Sequence, residues 1–404
     1  MSLLTVAVLW IASASVAIAG STKPYVPAND NVVLEHLPST SDPRVRAFAG
    51  LRQQVTANAR DAAPAVALAT AYLNYGRDTG DARYLGRAQA VIAPWARRTP
   101  PVDSVMLVQA TILQSRHQFE DSRQILKALL KRDRDNPQAW LTLASVDLVQ
   151  GRMDEARSDC AHLFGNVDGL YIGGCLASWS VVNGKAAAAL QTMEAFTAQS
   201  KAVPAALQAW VHGLQADAAK ALGDAKRADA EYKLALQYAP GDNFLLATYA
   251  DFLLDHDRAR EALELTRGYS QSDTSFLRQA LAEAALGLPA AKVDIAQMQS
   301  RFRDLEARGD NVLYAREQAR FVLDGLHDPV QALQLARNNW TLQRAPEDIR
   351  VYLEAALAAG QPQAAQDPLD LVARTKLEDP IIRALVNKLA DAGVHAQQPP
   401  EPKQ

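Results

Sequence analysis

The 404-residue sequence predicts an all-α fold, a solenoid of stacked antiparallel helix pairs. Three observations predict it. A small residue recurs at Ala88, Ser122, Ala156, Ala189, Ala228, Ala262, Ala332 and Ala365, mostly 33 to 34 residues apart, with one interval of 39 between Ala189 and Ala228. The 70 residues between Ala262 and Ala332 leave room for one degenerate copy. Around each small residue the apolar positions fall three and four apart, the period of a helix face. The composition is rich in Ala and Leu, only 6% aromatic, and without long charge runs. Such a chain extends by stacking copies and needs no separate globular cores.

The clearest copy is Asn136 to Leu163, NPQAWLTLASVDLVQGRMDEARSDCAHL. Trp140, Leu143 and Ala144 share one face of its first helix. Gly151 suits a left-handed end to that helix. Asp154 is the expected N-cap of the second helix, although Glu155 stands one residue on rather than the three of a capping box. Ala156, Cys160 and Leu163 form the inner stripe, and the small Ala156 lets the two helices approach. Trp140, Leu143, Ala144, Gly151, Ala156, Cys160 and Leu163 together follow the pattern W-x2-L-[GA], then G, then A-x3-[large]-x2-[AL]. With a period near ~34, this resembles the tetratricopeptide repeat family. The resemblance covers roughly residues 64 to 376. It implies a right-handed superhelix whose concave groove, lined by each first helix, holds a partner.

Taken in order, the chain begins with Met1 to Ala19, an apolar run without charged side chains that ends in Ala17-Ile18-Ala19. It reads as a secretory signal peptide, with periplasmic export as the consequence. The n-region lacks Lys or Arg, so inner-membrane anchoring by an uncleaved 1–19 is the alternative. The run is too short for a clear membrane span, and none is expected in the mature chain. Residues 20–42, with Pro24, Pro27 and Pro38, read as an extended leader. The solenoid is expected over 43–395. Asp42 and Pro43 open a first helix, with Val45, Phe48, Leu51 and Val55 as its stripe. Helices follow at Ala65 to Arg77 and Asp81 to Pro94. The run Gly80 to Ala88 resembles the start of certain bacterial envelope tetratricopeptide proteins of unassigned role.

Pro100 and Pro101 precede the second copy, Ser104 to Leu130, and Asp135-Asn136-Pro137 the third. The fourth is Leu170 to Asn183 with Lys185 to Gln199. Extra residues near Ser200 to Pro204 explain the long interval before the fifth, Ala205 to Leu222 with Asp224 to Ala239. The sixth is Phe244 to Leu254 with Arg258 to Thr266. The seventh starts at Ser275 to Leu286, and its second helix, Pro289 to about Arg308, breaks register. Val312 to Leu326 with Pro329 to Leu342 is the eighth. Asp348 to Ala359 with Gln363 to Thr375 is the ninth. Asp379-Pro380 begins a last helix that caps the stack, and 396–404 reads as a mobile polar tail.

No catalytic motif stands in the chain, so no enzyme activity is expected. Seven His are scattered without metal-ligand spacing, and no cofactor or metal is expected. The net charge of −3 gives no reason to expect nucleic acid. Cys160 and Cys175 lie on helices that neighbour each other in the implied stack. An exported chain would join them in a disulfide; two buried free thiols are the alternative. His162 beside Cys160 supplies only a third ligand, too few for a structural metal site.

Carried over by groove position, the resemblance implies a partner-binding row. Tyr171, Trp210 and Phe244 form an aromatic stripe, with Ser178, Asp217, Lys220 and Asp251 beside it. Packing between helices is the alternative for each aromatic. The Lys/Asn pattern of the carboxylate clamp is absent. The expected role is a cell-envelope scaffold, monomeric or held in a partner complex, that binds a protein, as peptide or helix, in its groove. The alternative is an accessory subunit of an envelope enzyme or transport system that binds a small ligand.

Overall fold

The computed structural model describes residues 42–199, 203–309 and 311–397; the signal-peptide reading and most of the leader and tail lie outside them. Among the described residues there are helices and no strand. A leading helix, α1 (Pro43–Ala57), is followed by antiparallel pairs. These are α2 (Ala63–Thr79) with α3 (Arg83–Ala96), α4 (Asp103–Ser115) with α5 (Phe119–Leu130), and α6 (Pro137–Val149) with α7 (Met153–Ala161). Next come α8 (Gly169–Val182) with α9 (Ala186–Gln199), α10 (Ala205–Leu222) with α11 (Ala225–Tyr238), and α12 (Asn243–Asp255) with α13 (Ala259–Thr266). The last are α14 (Asp273–Ala285) with α15 (Ala290–Arg308), α16 (Ala315–Arg320) with α17 (Pro329–Trp340), and α18 (Pro346–Ala358) with α19 (Gln366–Thr375), before the closing α20 (Pro380–Asp391).

Two local rules generate each pair. The first helix ends on a residue with left-handed backbone: Gly80, His117, Gly151, Gly184, Gly223, Asp257, Gly287, His327 and Gly360 in pairs one to nine. That conformation turns the chain back at once and costs a side-chain-bearing residue energy. The second rule is close approach. Ala88, Ser122, Ala156, Ala189, Ala228, Ala262, Ala332 and Ala365 are at most 1% exposed, so any larger side chain there would push the helices apart. The Ser122 hydroxyl is tolerated because it donates to the Ala110 carbonyl at 2.8 Å. In the seventh pair this position holds Lys292, and the buried Ala291 takes over one residue early.

The helix starts fall within about three residues of the sequence reading, and one expected N-cap is corrected. Asp42, Asn136, Asp224 and Asp379 each accept a backbone N–H from the first turn they precede. Asp154 does not: α7 begins at Met153 with no side-chain cap, which puts Asp154 and Glu155 inside its first turn. There they favour the helix dipole instead. Cys160 on α7 and Cys175 on α8 form a disulfide with Cα atoms 5.6 Å apart. His162 stacks flat on Trp140, ring centroids 3.9 Å apart, which accounts for it without a metal.

The apolar core is distributed. Buried clusters run from Phe48 to Ile112, from Leu170 to Ala221, from Ala216 to Ala282 and from Phe276 to Val394, each joining pairs adjacent in sequence. The superhelix winds far enough for its ends to overlap. The turn at Gly80 faces Asn243 and Ser272, and the turn at His117 faces Val312 and Gln343. Gly151 faces Arg344, Gly184 faces Lys376, and Gly223 faces Pro380. The helix-ending turns of pairs one to five therefore form one edge of a seam, with pairs six to nine and α20 along the other.

Candidate functional site

Closure turns the concave groove into a central cavity of about 280 Å³. First helices α10, α12, α14, α16 and α18 line it, with α20 and the His117 turn completing the wall. Its interior is charged. Asp251 on α12 accepts from Arg278 Nε and Nη2 at 2.9 and 2.7 Å, and meets Arg320 Nη1 at 2.5 Å. Arg278 also pairs with Glu317. Arg350 on α18 holds Asp255 through both terminal nitrogens, at 2.5 and 2.7 Å, and Glu354 through Nε at 2.8 Å. Lys220 Nζ on α10 reaches Glu347 at 3.5 Å.

These pairings set the ionisation states. Burial alone would raise the Asp251 carboxyl, but the Arg278 and Arg320 guanidiniums override it and hold that carboxyl well below the usual range. Burial would lower the Lys220 ammonium; Glu347 and Asp217 more than offset it and keep the group protonated. Burial pushes the His117 imidazole down to about 4, so it is neutral at pH 7. Asp217, raised by burial, accepts from the Tyr232 hydroxyl at 2.7 Å.

The structure splits the row expected from sequence. Lys220, Phe244 and Asp251 line the cavity, with Asp217 near Lys220. Phe244 keeps 61% of its surface exposed at the rim. Tyr171, Ser178 and Trp210 belong to a different place, where α8 meets α10. The Trp210 ring lies so close to Gly174 that a Cβ there would run into it. Tyr171 is 37% exposed, its ring centroid 6.4 Å from that of Trp210. The Ser178 hydroxyl donates to the Gly174 carbonyl of its own helix at 2.9 Å. Half of the cavity was not anticipated: Arg278, Arg316, Glu317, Arg320, Glu347 and Arg350 come from pairs seven to nine. The signal was the presence of arginines and acids on first-helix positions that stacking leaves inside the coil. Among the described residues no cluster of His, Cys, Asp or Glu is arranged to hold a metal ion.

The fold defines an α-solenoid of helix pairs, and the comparisons give its repeat class. Residues 113–158 match the family model of the tetratricopeptide repeat. A solved APC/C hetero-tetramer, Cut9-Hcn1, superposes with a TM-score of 0.50 at 11% identity, over 86% of this chain and 66% of that one. A tetratricopeptide repeat protein from Parabacteroides merdae matches at 12% identity and TM-score 0.39, over 63% of this chain and 93% of that one. The human IFIT1 dimer with PPP-AAAA matches at 13% and 0.44, over 82% and 86%. No curated protein sequence matches the chain. Residues 113–158 thus carry a tetratricopeptide repeat, set within an all-α solenoid of helix pairs. This fold is that of a protein–protein interaction scaffold. No helix among the described residues is long and apolar enough to cross a membrane.

Proposed function

We propose that the chain is an exported scaffold that takes a segment of a partner protein at its concave cavity, with Phe244 as the apolar anchor. The observation that carries this is Phe244 itself, a large aromatic exposed on the rim of a charged cavity. Exposed aromatics beside paired charges are what a recognition surface offers: an apolar payload and polar groups that fix orientation. The cavity has room for a side chain or two, so an extended peptide end suits it better than a whole helix. Export is supported by the Cys160–Cys175 disulfide, which an oxidising compartment preserves, and by the apolar run Met1 to Ala19.

A photo-cross-linking residue placed at Phe244, in cells that make the full chain, tests the site. Capture of one dominant partner from position 244, and none from Val293 on the exposed face of α15, is the expected result. Equal capture from both positions would remove the cavity as the site. The second reading, an accessory subunit that binds a small ligand, draws on the modest cavity volume. Saturable binding of a small molecule that Phe244→Ala leaves intact would favour it.

A further inference from the structure

The seam and the pair-to-pair contacts are built from different chemistry. Neighbouring pairs are held by apolar clusters. Among the described residues, no buried apolar cluster joins pairs one to four to pairs six to nine; the fifth pair shares clusters with the sixth, its neighbour in sequence. What crosses it is largely polar, beside local contacts such as Pro380 against Gly223. Arg344 donates its backbone N–H to the Val149 carbonyl at 2.8 Å and its Nη1 to the Gln150 carbonyl at 2.9 Å. Ala186 donates its backbone N–H to the Glu378 carboxylate at 3.1 Å. Gln343 and the Val312 carbonyl meet His117 Nδ1 at 3.3 and 3.4 Å. Lys220 and Glu347 add a partly exposed ion pair.

We infer that the two overlapping turns separate along this seam while every helix pair stays folded, and that this opening gates the central cavity. Separation exposes little apolar surface, because no buried apolar cluster links pairs one to four to the far edge. Each hydrogen bond lost is replaced by one to water, at a small net cost. Such interfaces occupy the low end of a protein's local stabilities, whereas loss of a helix pair sacrifices a buried cluster. With the coil closed, the chain's own residues wall the cavity: Glu347 sits against Lys220, and Gln343 closes the side next to His117. A partner segment enters by parting them. The gating half of this inference rests on the cavity reading above; the opening does not.

Hydrogen exchange on the unmodified full-length protein tests the opening. The amides of Arg344 and Ala186 should exchange on the order of 100-fold faster than those of Leu353 in α18 and Val146 in α6, as local opening requires. Equal protection would overturn the inference. Small-angle scattering supplies the second arm. Arg344→Ala with Glu378→Ala should enlarge the radius of gyration with helical content unchanged, and a radius equal to that of the parent would overturn it. A lock can be placed across the seam, because a Cβ built on Gly151 lies 3.6 Å from Arg344 Cβ, within disulfide range. Oxidised Gly151→Cys with Arg344→Cys should stay compact and lose capture at Phe244, and reduction should restore both. A locked protein that captures its partner normally overturns the gating and leaves the cavity reading in place. A protein that opens but captures nothing, locked or reduced, sinks the cavity reading while supporting the opening.

Discussion

Asp147 and Asp159 are two carboxyl groups set side by side inside the third helix pair, both buried. Arg123 Nε from α5 meets Asp147 at 2.6 Å, and Arg152 stands 3.7 Å from the same oxygen. Asp159 gains less from these cations. Burial and the neighbouring Asp147 charge push its carboxyl up to about 7. The unfolded chain would titrate it near ~3.9. The folded state therefore binds the extra proton, and the stability from Asp159 is full below about pH 4 and lost as pH rises through about 7. Asp159→Asn, which mimics the neutral acid, should melt like the parent at pH 4 and be more stable at pH 8. Partial solvent screening keeps the gain to about 1–2 kcal/mol. Paired melts of parent and variant isolate this group from the other carboxylates, and a difference independent of pH would refute the assignment.

The disulfide should matter locally. It pins α7 of one pair to α8 of the next across a separation of 15 residues. A loop of that size is worth about 3 kcal/mol in the chain-entropy model. Reduction, or Cys160→Ser with Cys175→Ser, should lower the melting temperature. Hydrogen exchange should rise most in α7 and α8, since neighbouring repeats carry their own interfaces. Uniform loss of protection along the chain would mean that the bond staples the whole coil.

Among the described residues four helix-ending turns carry side-chain-bearing residues in left-handed backbone: His117, Asp257, His327 and Lys376, with φ of 57, 58, 56 and 54°. His327→Gly and Asp257→Gly should each stabilise by about 1 kcal/mol, the strain that glycine removes. The reverse change separates strain from clash. Gly360→Ala has open space around the new Cβ and should cost only the conformational term, about 1 kcal/mol. Gly184→Ala meets the Lys376 carbonyl across the seam and should cost more. Equal losses in denaturant melts would show that Lys376 yields freely.

The helix pairs were legible because close packing and chain reversal each demand a residue type. Ala156 and Gly151 announce their copy; Lys292 does not, and there the register shifts by one. Cys160 and Cys175 were legible because a separation of 15 residues, less than half a repeat, places them on successive helices that touch. Trp210 could not be resolved, because a groove position and a packing position share one helical spacing. The shape of Gly174 opposite decides it, and that depends on how α8 and α10 meet. Arg350 with Asp255, and Lys220 with Glu347, stand 95 and 127 residues apart. Their approach is set by superhelical pitch, the sum of many small rotations between pairs, and no local pattern encodes it. Asp154 failed as an N-cap for a simpler reason: α7 starts one residue before it, and helix ends are the least determined feature of a periodic pattern.

Arg278 is the keystone of the cavity wall, and its removal separates charge pairing from packing. Its guanidinium neutralises Asp251 on α12 and Glu317 on α16 while almost wholly buried. Arg278→Met keeps much of the volume but leaves two acids facing one another with Arg316 and Arg320 alone. An uncompensated buried charge costs about 3–5 kcal/mol, so the variant should be strongly destabilised. Adding Asp251→Asn and Glu317→Gln removes the charges that Arg278 served, and should recover most of the loss. Arg320 would then need Asp324, which stands 3.5 Å from it. The pH dependence supplies the sign. Asp251 is held below its ordinary value, so its contribution is present above about pH 4 and is lost as pH falls through its folded value. The parent should lose stability on acidification, and the triple variant should lose less. If Arg278→Met alone is as stable as the parent at neutral pH, the network is ornamental, and the cavity wall stands on the apolar stripes of α12, α14 and α18.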